Sequence, residues 1–234
     1  MLADQATIQK SQPNFLIFEA LRAIEDMVGR DVLIYILVKA GLTHITHAYP
    51  TDTNYTGISF DKFPLIMQAM EKQFGEKAGR KIAYRAGKMM FPDFIKRYEK
   101  SVDFSRNTIN LIPLRNRLSI VLGVLVDISD QIVDQKLSLD EDQHHYFIRT
   151  DQCVACWERS HATTPVCDMC VGFFEAGICW LCDGMNYRVK EIACKAMGDD
   201  ACVFSVSKAC YKPVQLYVKR LNIIRLMHFC ASIV

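Results

Sequence analysis

The chain has 234 residues, 50% of them hydrophobic and 23% charged, and 28 basic against 26 acidic side chains leave a formal net charge of +2. Eleven Gly and seven Pro exclude a collagen-like or low-complexity chain, and so small a net charge provides no global field to recruit nucleic acid. The longest apolar runs, such as Val32–Val38, fall far short of the ~20 residues of a membrane span, and the first residues lack the basic start and apolar core of an export signal.

In chain order, Phe15, Phe18, Leu21, Ile24 and Val28 recur at helical spacing, with Asn14 as N-cap and Gly29 at the exit. Residues 31–40 form a nearly continuous apolar run read as a second helix, followed by a polar loop from His44 to Gly57. The spacing of Phe63, Ile66, Met67, Met70 and Phe74 predicts a third helix. After Gly75 and Gly79 a fourth runs over 80–91, and Pro92 begins another that reaches about Phe104. Leu114, Leu118, Val121, Leu122, Leu125, Ile128 and Ile132 mark a long buried helix. Alternation over 144–150 predicts a strand, and 164–182 reads as a helix with Gly172, Ala176 and Gly177 on one side. Residues 186–196 and 201–207 read as a hairpin closed at Gly198, and a last helix is expected over 213–229. The order implies one α+β domain over 1–234: a mainly helical part to residue 140, a Cys-rich helix and hairpin over 141–210, and a terminal helix from 211.

All ten cysteines fall between Cys153 and Cys230. Without an export signal the expected compartment is the reducing cytoplasm, where clustered Cys points to metal, redox chemistry or a small-residue core rather than a disulfide framework. Two metal readings stand side by side. Cys153-x2-Cys156-x10-Cys167-x2-Cys170 has the outline of a ribbon with two thiolate knuckles. Alternatively, Glu191-x2-Cys194-x7-Cys202 converges across the hairpin, because the second strand returns beside the first, and a Cys from the preceding helix completes four ligands. Cys153/Cys156 and Cys179/Cys182 also carry thiol-disulfide spacing, without a redox fold pattern around them.

The stretches VCDMCVGFFEAG (166–177) and VKEIACKAMGDDACVFSV (189–206) resemble the signature of 4-vinyl reductase domains: a Cys before a Gly-aromatic helix, then Glu-x2-Cys, Gly-Asp and a final Cys. That family includes proteins linked to bacteriochlorophyll synthesis, hydrocarbon-binding proteins and the sensor domains of phenol-responsive activators. The resemblance implies a fold like that of transport-particle subunits and haem-nitric-oxide sensors. It also implies a structural zinc on Cys167, Glu191, Cys194 and Cys202, with Cys170 a rival first ligand. The buried His and Trp that bind phenol in those sensors have no matching positions here. No nucleophile, metalloprotease, nucleotide or dinucleotide motif is present, so no catalytic residue is assigned. The expected function is a binding or sensing module for a hydrophobic, aromatic or tetrapyrrole-like small molecule. It is expected to act as a homodimer or with a protein partner, and its pocket residues are not identified. An enzyme or accessory protein of tetrapyrrole synthesis, and an assembly protein like the transport-particle subunits, are the alternatives. The side chains of Met67, Met70, Phe74, Met89, Met90, Phe91 and Phe94 are candidates for an apolar cavity.

Overall fold

The computed structural model describes residues 10–98, 111–133, 135–182 and 184–211. A short strand β1 (Ser11–Pro13) leads into α1 (Asn14–Val28) and α2 (Arg30–Lys39), and β2 (Thr56–Ser59) returns to pair antiparallel with β1. The helices α3 (Lys62–Phe74), α4 (Glu76–Arg97) and α5 (Leu114–Val133) follow. The sheet strands β3 (Leu137–Glu141) and β4 (His145–Thr150) come next, then α6 (Asp168–Leu181), β5 (Asn186–Ala193) and β6 (Cys202–Tyr211). The second sheet is antiparallel throughout in the order β3-β4-β6-β5.

The periodic segments fold as their patterns dictate. On α1, Phe15, Ile17, Leu21 and Ile24 are buried, and on α5 Leu118, Val121, Leu122 and Leu125 are. The inward residues Ile148, Val189, Phe204 and Val206 give the four-stranded sheet its apolar face, and Phe174 of α6 packs on Phe204 at 5.4 Å. Phe91 and Phe94 of α4 meet Phe173 of α6 edge-on at 5.3 and 4.9 Å. Between these two helices the backbones nearly touch: a Cβ at Gly172 would land on the Tyr84 carbonyl oxygen, and one at Gly87 on that of Met169. Only glycine permits this approach.

Several expectations need correction. Asn14 is the first helical residue and not the cap; Pro13 precedes it, and its amide donates to Thr51 Oγ1 at 3.4 Å. Pro92 lies inside one continuous α4, because Phe91, Phe94 and Ile95 are buried on either side of it and packing outweighs the missing N–H. The helix expected from 164 starts at Asp168, after Pro165. The polar loop contains β2, and β3 adds a strand beyond the sequence expectation: both are short and largely exposed, and β2 pairs irregularly with the distant β1, so periodicity carries little signal. The helix expected over 213–229 lies outside the described residues. No helix among the described residues is long and apolar enough to cross a membrane.

Candidate functional site

Two sites lie along α6. The first is a thiol centre at its N-terminal end. Cys153 and Cys156 flank a 3-10 turn after β4, Cys167 precedes α6, Cys194 follows β5 and Cys202 opens β6. All five sulfurs are buried, from 0 to 3% exposed, as is the Glu191 carboxylate at 6%. Cys153 and Cys167 sulfurs are 3.6 Å apart, Cys156 and Cys202 3.4 Å, Cys167 and Cys194 3.9 Å, and Cys167 and Cys202 3.8 Å. A tetrahedral ion with metal–sulfur bonds of about 2.3 Å sets its sulfurs about 3.8 Å apart, so these separations are those of a single-ion ligand shell. Two four-membered groups have all their ligand atoms within 4.8 Å of one another: Cys153, Cys156, Cys167 and Cys202, and Cys167, Glu191, Cys194 and Cys202.

Local structure places each donor. Glu191 and Cys194 are three apart, which in a regular strand would aim them at opposite faces. The pairing of β5 with β6 is irregular between Glu191 and Ala193, and the exposed Ile192 takes up the extra residue, so both donors face inward. Gly198, at φ +102°, closes the hairpin loop, and Asp199 accepts a hydrogen bond from the Cys194 N–H at 2.7 Å. The Lys195 N–H donates to the Cys202 sulfur at 3.4 Å, and the Cys167 N–H to Glu191 Oε2 at 2.7 Å. Glu191 Oε1 is buried without a partner among the described residues. The loop before α6 is fastened from outside: Arg159 makes two bonds to Glu71 of α3 at 3.0 and 2.6 Å, and Arg80 of α4 donates to Asp168 at 2.7 Å.

Protons are unevenly shared in the centre. Hydrogen bonds from Cys153 lower the Cys156 and Cys202 thiols, one from Cys156 lowers Cys194 to about 6, and burial raises Cys167. Burial, followed by the Cys194 charge, pushes Glu191 up to about 10. A buried carboxyl so disfavoured as an anion is what a cation at the centre would rescue.

Neither spacing pattern alone captures this geometry. Cys167, Glu191, Cys194 and Cys202 do converge, whereas Cys170 is left out and instead lines an apolar cavity. The ribbon quartet does not form, yet its first knuckle, Cys153 and Cys156, joins the centre. Cys210 is exposed, and Cys179 is disulfide-bonded, a departure from the expectation of reduced thiols throughout.

The second site is a cavity of about 80 Å³ walled by α1, α3, α4, α5 and the first turns of α6. Phe63, Met90, Phe94, Met169 and Phe173 make it apolar; Met67, Met70, Phe74, Met89 and Phe91 of the sequence candidates are not in its wall. Three polar side chains reach it: Gln12, Ser129 and Gln135. Gln135 Oε1 accepts the Val154 N–H at 3.0 Å. Among the described residues, neither Nε2 nor Oε1 of Gln12, 0% exposed, has a partner, and nor does the buried Ser129 Oγ. Sequence reasoning missed Gln12 and Ser129, since no motif surrounds either.

No family model and no curated protein matches the sequence. Solved structures do match the fold. An H-NOX structure concerned with haem distortion is similar at TM-score 0.56 and 15% identity, over 89% of this chain and 100% of that one. An oxygen-binding H-NOX domain related to soluble guanylate cyclases, in its oxygen complex, gives 0.53 and 14%, over 89% and 100%. The Fe(II) unliganded H-NOX protein from K. algicida gives 0.56 and 10%, over the same shares. These matches span most of the chain, whereas the 4-vinyl reductase signature rests on two short stretches. They overturn the assignment to that family and what it carried: the zinc cofactor, bacteriochlorophyll or other tetrapyrrole synthesis, the aromatic-ligand module of that type and the transport-particle alternative. At such identities the likeness establishes architecture alone: this chain has the α+β fold of H-NOX domains.

Proposed function

We propose that the chain is a small-molecule sensor module that binds a ligand of a few non-hydrogen atoms directly in the cavity, with α6 linking that cavity to the thiol centre. The carrying observation is the orphaned polar pair: Gln12 and Ser129 present one donor-acceptor amide and one hydroxyl, without partners, in an otherwise apolar wall. Each buried group left unpaired costs about 1–3 kcal/mol, a cost that a ligand supplying the missing bonds removes. Volume sets the ligand class. A cavity of about 80 Å³ is smaller than the roughly 150 Å³ that accommodates benzene, so an aromatic ring is excluded and a diatomic gas or a small amide or alcohol is admitted.

Haem, present in the H-NOX structure concerned with its distortion, does not fit these residues. None of the described histidines lines the cavity, and α4 and α6 are in glycine-to-backbone contact. The space is also far below the roughly 300 Å³ at which drug-sized sites begin.

In the same reading, the thiol centre holds one thiophilic metal ion on Cys167, Glu191, Cys194 and Cys202. Thiolate donors select soft or borderline cations, and four protein ligands leave no position for substrate, so the ion's role is to fasten the hairpin to α6. Since Cys167 belongs to the centre and Met169, Phe173 and Phe174 line the cavity within the next two turns, a shift of α6 is felt at both sites. Linkage then requires each site to alter the other's affinity.

Methyl NMR of Met90 and Met169 during titration with nitric oxide, oxygen, formamide and ethanol tests the ligand reading. At least one probe should shift both methyls saturably, and Gln12→Leu should weaken that probe at least tenfold. Methyls unmoved by all four, or equal affinity in Gln12→Leu, would overturn it. Titration with hemin should give no stoichiometric Soret shift; a Soret band at one haem per chain would overturn the exclusion of haem.

A further inference from the structure

The four ligands assigned above leave two buried sulfurs unexplained, Cys153 and Cys156, each in contact with one of those ligands: Cys153 with Cys167 at 3.6 Å, and Cys156 with Cys202 at 3.4 Å. Together with Cys167 and Cys202 they make a second four-sulfur group within the same 4.8 Å limit. The two groups have Cys167 and Cys202 in common, and the separation of these two sulfurs, 3.8 Å, is the edge of a tetrahedron around a thiolate-bound ion. A thiolate sulfur has lone pairs enough to bind two cations at once.

We propose that the centre takes two thiophilic divalent ions in edge-sharing tetrahedra. Cys167 and Cys202 bridge them, Cys153 and Cys156 complete one shell, and Glu191 and Cys194 complete the other. Charge supports the count. Five thiolates and a carboxylate carry six negative charges in a site with no more than 6% exposure. Two dications reduce the sum to −2, whereas one would leave −4 or strand protonated donors against a metal shell. Donation from the Cys167 and Lys195 N–H groups moderates what remains. Glu191 Oε1, otherwise without a partner, also finds one. Loading releases the thiol and carboxyl protons to solvent, with no oxidant or reductant involved.

This inference rests on the thiol centre being a metal site at all, and the test separates the two claims. The whole chain, prepared reduced and metal-free under anaerobic conditions, is titrated with cobalt(II) and followed by absorbance and by electron paramagnetic resonance. Sulfur-to-cobalt charge transfer should grow linearly to two equivalents. The high-spin cobalt resonance should rise to the first equivalent and then fall, as bridging sulfurs couple the pair. In C153S/C156S the end point should drop to one equivalent with an undiminished resonance. Saturation at one equivalent in the native chain, unchanged in C153S/C156S, overturns the second ion and leaves the first. Two equivalents without loss of resonance also overturn the bridged pair. No stoichiometric uptake overturns both claims. The titration of the native chain needs no variant to fold.

Discussion

The two sites beside the N-terminal half of α6 solve opposite problems. At the N-terminal end, donors crowd together: five sulfurs and a carboxylate converge, and every neighbouring backbone contact named above holds them in place. Within the next two turns, around Met169 and Phe173, the cavity wall carries polar atoms of Gln12 and Ser129 that have no hydrogen-bond partner among the described residues. In the proposed function the first arrangement holds a metal ion as part of the structure. The second, in the same proposal, gives up stability to remain able to bind. In the proposed function this difference suits α6 to coupling, since its first residue adjoins the thiol centre and its first two turns wall the cavity.

The contrast depends first on α4 and α6 staying in contact. Gly172→Ala forces a methyl group into the Tyr84 carbonyl, where backbone and not a flexible side chain must yield. A loss of at least about 3 kcal/mol is expected in urea denaturation, at the top of the range for overpacking. A loss under about 0.5 kcal/mol would show that the helices separate freely.

The thiol centre is tested by Arg159→Ala, which leaves the Glu71 carboxylate, itself only 13% exposed, without its two-bond partner. About 2 kcal/mol should be lost, less than the 3–5 kcal/mol of a fully buried pair because both groups touch solvent. The variant should also release cobalt faster from the thiol centre, while an unchanged off-rate would detach the clasp from the centre's integrity.

At the cavity the sign should reverse. Gln12→Leu and Ser129→Ala remove buried groups that have no partners, so each should raise stability or leave it unchanged, by up to about 1 kcal/mol, while probe binding falls. Destabilisation beyond about 1 kcal/mol by Ser129→Ala would show that its hydroxyl is already satisfied in the folded protein.

The smallest effect concerns pH. Glu19 on α1 is raised above its ordinary value, first by burial and then by the Asp93 charge. The folded state therefore holds this proton more tightly than the unfolded chain. Its stabilising contribution is complete below the unfolded value near 4.5 and is lost as pH rises through the folded value. Glu19→Gln should flatten that part of a stability–pH profile measured from pH 4 to 7; an unchanged slope would assign it to another group.

Legibility in the sequence followed the range of the interactions. The core stripes of α1, α3 and α5 were visible because local periodicity decides which face is buried, and the hairpin was visible because Gly198 with Asp199 marks its turn. The quartet Cys167, Glu191, Cys194 and Cys202 was legible through its resemblance to another family's signature, although that family and its zinc did not survive comparison of folds. What the sequence determined by itself, then, was the set of elements and a concentration of thiols near one hairpin, since both follow from neighbours within a few turns. Tertiary structure alone decided that the bulge at Ile192 turns Glu191 and Cys194 the same way, that Cys153 and Cys156 join sulfurs up to 46 residues distant, and that Gln12 faces Ser129's cavity. Those outcomes depend on how strands register and helices cross, where distant backbone contacts set the direction of each side chain.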